Sequence, residues 1–84
     1  MFNIPDIHRM NLSFTDAEYI MSKHSSMGVT IIECMENLLS EWNQHCNGCY
    51  LFADDDEFFE FFQYEVNAFN VLYREMKHLF RYGL

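Results

Sequence analysis

In the middle third of the chain, apolar residues return at Ile31, Ile32, Met35, Leu38, Leu39, Trp42 and Cys46, the i, i+3, i+4 spacing of one helix face. Glu33, Glu36, Asn37, Ser40 and Gln44 fill the opposite side. Val29-Thr30-Ile31-Ile32 alone would read as a strand, but the sustained helical period after it decides for a helix. Thr30 with Glu33 forms a capping box, the hydroxyl accepting from the N3 amide while the glutamate reaches back. Asn47-Gly48 supplies the stop, so the pattern predicts a helix over 30–46.

The final third carries a longer and wider apolar arc. At about 100° per residue, Phe58, Phe62, Val66, Phe69, Leu72, Tyr73, Met76, Leu79 and Phe80 share one face. Phe59 and Phe61 fall on its two borders, and Glu60, Gln63, Asn67, Asn70 and Arg74 fall opposite. Asp54 is placed to cap the start, with Glu57 at the capping-box position. Asp55, Asp56 and Glu57 sit where the macrodipole favours anions, and Arg74, Lys77 and Arg81 where it favours cations. The expectation is one helix over 55–82, roughly 40 Å long, ended by Gly83. An arc this wide needs cover on two sides, and any uncovered remainder would be a partner or self-association surface.

Toward the start, Thr15 and Glu18 form a second capping-box pattern, ahead of Ala17, Ile20, Met21 and His24 on one face. That predicts a helix over 16–26, with Gly28 able to end it. Residues 1–14 show no regular period, and Pro5 pushes Ile4 toward extended geometry. They read as an extended arm laid across the helices. Cys49 to Ala53 reads as a short connector with Tyr50, Leu51 and Phe52 packed inward. The fold class is therefore all-α: one domain over 1–84, with an N-terminal arm, two shorter helices and a long C-terminal one.

Composition supports this picture. The chain has 84 residues, half of them apolar, with a single proline and three glycines, so it has room for few turns. A domain this short buries only about 60–65% of its unfolded surface. Charge changes the picture more. Thirteen acids face five Lys and Arg, a formal net charge of −8. Such a surface repels nucleic acid and anionic membranes, and its compatible partners are basic proteins. Charge of this sign also serves solubility alone. Uncharged runs fall well short of the ~20 residues that span a bilayer. No apolar export segment is visible near the N-terminus, and the three cysteines read as reduced thiols, so the expected setting is cytoplasmic.

Few residues carry candidate chemistry. Glu65 projects into the apolar arc among Phe58, Phe61, Phe62, Phe69 and Leu72, where a carboxylate is costly unless paired. Either the helix rolls it to an edge in water or it reaches a lysine, arginine or histidine, or it holds a ligand or a partner's cation. His45, Cys46 and Cys49 offer partial zinc-ligand spacing, with Cys34, His8, His24 and His78 as the remaining pool. No second ligand pair exists, so a thiol-lined turn is the favoured reading and no metal or other cofactor is expected. Catalysis finds no support: the chain has no Gly-rich phosphate loop and no nucleophile elbow.

The acids remain. Asp55, Asp56, Glu57 and Glu60 on the last helix, with Glu33, Glu36 and Glu41 on the middle one, would form one negative face if the helices pack antiparallel. Carboxylates at helical spacing can imitate a phosphate backbone. In size and charge the chain resembles small acidic phage proteins that mimic DNA and small acidic immunity proteins, though no motif carries the resemblance. The expected function is non-enzymatic: inhibition or sequestration of a basic or nucleic-acid-handling protein through that face. The alternatives are a helical module that dimerises or binds a partner through apolar surface, and a zinc-stabilised module.

Overall fold

A computed structural model describes residues 2–24, 30–48 and 51–77. Among them the fold is all-α, with α1 over Phe14–Ser22, α2 over Ile31–Cys46, α3 over Asp55–Phe61 and α4 over Gln63–Met76. No helix among the described residues is long and apolar enough to cross a membrane.

Local signals fix most helix starts. Thr30 caps α2 with both halves of the capping box: its hydroxyl accepts from the Glu33 amide at 3.1 Å, and Glu33 Oε1 accepts from the Thr30 amide at 3.3 Å. Asn47 ends α2, and Gly48 takes the left-handed φ of +90° that lets the chain turn away. Asp54 caps α3, accepting from the Glu57 amide at 2.9 Å. The structure shows only the Asp54 half of that box. At α1 the cap is Ser13 rather than Thr15: its hydroxyl accepts from the Asp16 amide at 3.1 Å, and the helix begins two residues before the predicted 16. Two cap signals overlap there, and the earlier one wins because it adds helical hydrogen bonds at the start. α1 ends at Ser22, with Lys23 as its C-cap donating back to the Ile20 and Met21 carbonyls, four residues short of the predicted 26. Residues 25–28 lie outside the described residues, as do Tyr50, Leu79, Phe80 and Gly83.

The helix expected over 55–82 is two helices. Phe62, at φ −100° and ψ 31°, ends α3 and precedes α4 without proline or glycine. The break is a packing solution. It lets α3 lie on α2 while α4 packs chiefly on α1. It also divides the over-wide arc: Phe58, Phe59 and Phe62 turn inward, and Phe61 turns out with 69% of its surface exposed. Glu65 thereby changes position in its helix. It belongs to the first turn of α4, near unsatisfied amides and the positive end of the dipole. It is half-buried, and its Oε2 is buried with no hydrogen-bond partner among the described residues.

The core joins Met21 and Ala17 of α1, Cys34, Met35 and Leu38 of α2, Phe58 of α3, and Val66, Phe69 and Leu72 of α4. Trp42, on the apolar face of α2, is half-buried and packs against the core edge, its ring 4.9 Å from Phe58 and 5.3 Å from Phe59.

The arm closes the remaining side. Phe2 and Ile4 are buried, and the Phe2 ring meets Phe69 at 5.1 Å and Trp42 at 5.7 Å, both edge-on. A short 3-10 turn covers Asp6–His8. An extended arm on a helical bundle has no strand to satisfy its backbone, and two side-chain amides of α4 supply the want. Asn70 accepts from the Phe2 amide and donates to the Phe2 carbonyl, each at 2.8 Å. Asn67 accepts from the Met10 amide at 2.9 Å and donates to the carbonyls of His8 at 2.8 Å and Gln63 at 2.7 Å. The polar side of α4 is thus covered at Asn67, only 5% exposed, while Arg74 stays exposed.

Candidate functional site

The predicted acids differ in what surrounds them. Asp55 and Asp56, in the first turn of α3, each meet a histidine from another element. Asp55 Oδ1 lies 2.7 Å from His45 Nε2 of α2, and Asp56 Oδ1 lies 3.1 Å from His8 Nε2 of the arm. Both imidazoles are largely buried while both carboxylates stay exposed, so these pairs pin the start of α3 to α2 and to the arm. Glu33 is engaged in the α2 cap, and Glu36 stands exposed about 140° around α2 from Glu41.

The other three come together. Glu41 of α2 and Glu57 and Glu60 of α3 line one open cleft of about 870 Å³. Its apolar wall is Phe52, Phe61, Phe62 and Leu51. The three rings touch one another: Phe52 to Phe61 at 5.4 Å, Phe52 to Phe62 at 5.8 Å and Phe61 to Phe62 at 4.8 Å between centroids. His24 also lines the cleft, edge-on to Phe62 at 5.8 Å. A cleft of this size lies within the range of ordinary ligand pockets. Carboxylates set beside aromatic faces favour a cation that can also bury apolar surface, because ring quadrupole and carboxylate charge act with the same sign.

The acids of this cleft are legible in the sequence, and its wall is not. Leu51 was expected to pack inward, yet 69% of its surface is exposed; the turn it occupies leaves only Phe52 half-buried. The one trace in the sequence was the excess width of the arc, which left Phe61 on its border.

Among the described residues the zinc-ligand candidates do not gather into a ligand set. His45 Nε2 is taken by Asp55, its Nδ1 is buried without a partner among the described residues, and its ring stacks on Phe58 at 5.5 Å. Cys46 is exposed, Cys34 is buried, and Cys49 lies outside the described residues. No group of three or more His, Cys, Asp or Glu among the described residues is placed to hold a metal ion. No family model, curated protein or solved structure matches the chain.

Proposed function

We propose that this protein is a cytoplasmic, non-enzymatic binding protein that inhibits or sequesters a basic protein, such as a nucleic-acid-handling enzyme, through its carboxylate surface. One observation carries the reading. In a chain of net charge −8, Glu41, Glu57 and Glu60 converge from two helices on one open cleft. Carboxylates gathered in this way attract the cationic surface that a nucleic-acid enzyme uses for phosphate, and they raise association rates by steering. Asp55, Asp56 and Glu33 have structural partners, so the reading rests on the cleft acids.

The second reading is association through apolar surface, either with another copy or with a neutral partner. The exposure of Leu51 and Phe61 favours it. Capture of partners from host lysate by the parent and by a Glu57→Lys/Glu60→Lys variant separates the two. Both positions are exposed, so the fold should be retained; Glu57 lies in the first turn of α3, and its reversal should lower the melting curve only modestly. The carboxylate reading expects a captured protein that elutes in a salt gradient and is lost on reversal. A partner retained by the variant and at high salt would replace it with the apolar reading.

A further inference from the structure

We infer that the cleft is an arginine receptor: it takes a guanidinium from a basic partner, stacked on Phe61 and Phe52 and held by Glu57, Glu60 and Glu41. The inference rests on the carboxylate reading above and names the chemistry that the cleft selects.

Three observations point the same way. Phe61 and Leu51 line the cleft yet each leave 69% of their surface in water, although the chain has an apolar core close by. Phe52, Phe61 and Phe62 present contiguous rings rather than a single one. Glu57 and Glu60 are three residues apart on α3, one turn, and Glu41 approaches from α2. Aromatic area alone would accept any apolar group, and carboxylates alone would accept any cation. The combination selects a cation that is flat, weakly hydrated and able to fork onto a carboxylate, and that is arginine rather than lysine. A lysine ammonium keeps its water more tightly and offers no face to stack.

Charge decides against a second copy as the occupant. Thirteen acids against five Lys and Arg make two clefts face each other as like charges. Arginine-bearing segments are what basic nucleic-acid-binding surfaces present, so the occupant agrees with the partner class proposed above.

The test uses three acetylated, amidated hexapeptides in which leucine alternates with arginine, lysine or citrulline. They are titrated into isotopically labelled full-length protein and followed by NMR. The arginine peptide should shift the ring signals of Phe61 and Phe62 and the amides of Glu57 and Glu60. It should bind about tenfold more tightly than the lysine peptide, and the neutral citrulline peptide should not bind. Phe61→Ala should weaken the arginine peptide about tenfold and abolish its preference over lysine, with the fold retained because 69% of Phe61 is exposed. Equal binding of arginine and lysine peptides, insensitive to Phe61→Ala but lost in Glu57→Lys/Glu60→Lys, would overturn the arginine inference and leave the carboxylate reading standing. Binding that survives the double reversal would remove both. Absence of any binding by the parent at millimolar arginine peptide would also overturn the inference; salt-sensitive capture of a lysate protein would then decide the carboxylate reading separately.

Discussion

Replacing Asn67 with alanine should loosen the arm before it unfolds the helices. The Asn67 side chain makes three hydrogen bonds, to the Met10 amide and to the carbonyls of His8 and Gln63. Each such bond contributes about 0.5–1.5 kcal/mol net, and a buried group left without a partner costs about 1–3 kcal/mol. The arm lies at the surface, so water can reach part of what the truncation frees. The expected loss is therefore about 2–3 kcal/mol, a large fraction of the 5–15 kcal/mol that typically separates folded from unfolded domains. Asn67→Asp makes the control sharper. It keeps an acceptor for Met10 but turns both donations into oxygen facing carbonyl oxygen, so it should cost at least as much as alanine. Urea unfolding reads the global term, and amide hydrogen exchange at Met10 reads the arm. Both variants should lower the urea midpoint, and Met10 exchange should accelerate beyond what the global change explains. An unchanged midpoint with an unchanged Met10 rate in Asn67→Ala would refute the view that the amide holds the arm.

That clamp also marks the boundary of what the sequence reveals. The Thr30–Glu33 box and the Asp54 cap are legible because both partners lie within one turn. Asn67 looks solvent-facing by period, since nothing local shows that an arm 57 residues earlier lies over it. The break at Phe62 is silent for a similar reason. Neither breaker residue is present, and the cause is the demand of α1 and α2 for different faces of one phenylalanine-rich segment. Its only local trace is Glu65, which is discordant in the middle of a continuous apolar arc and sensible in the first turn of a new helix. At the cleft, the type of residue was readable and its allocation was not. Which acids remain free depends on His8 and His45, and those partners sit 48 and 10 residues away from their aspartates. Exposure of Phe61 follows from the break, so it could not be read without it.

Two further outcomes follow from the same packing. Phe69 is fully buried and meets Phe2 edge-on at 5.1 Å, so Phe69→Ala should cost about 3–5 kcal/mol and lower the thermal midpoint steeply; a parental melting curve would show that this face is not core. Glu65 sets two effects against each other. Its buried Oε2 has no partner among the described residues, and leaving such an oxygen unmatched costs about 1–3 kcal/mol. Its place in the first turn of α4 returns about 0.3–1 kcal/mol through the dipole. The first term is larger, so Glu65→Met, which keeps the length and removes the oxygens, should raise stability by about 1 kcal/mol in urea unfolding. Glu65→Gln keeps a polar end in the same place and should gain less. A Glu65→Met variant less stable than Glu65→Gln would mean that the oxygen is solvated or paired in the folded protein, and that the restart of the helix depends on its charge.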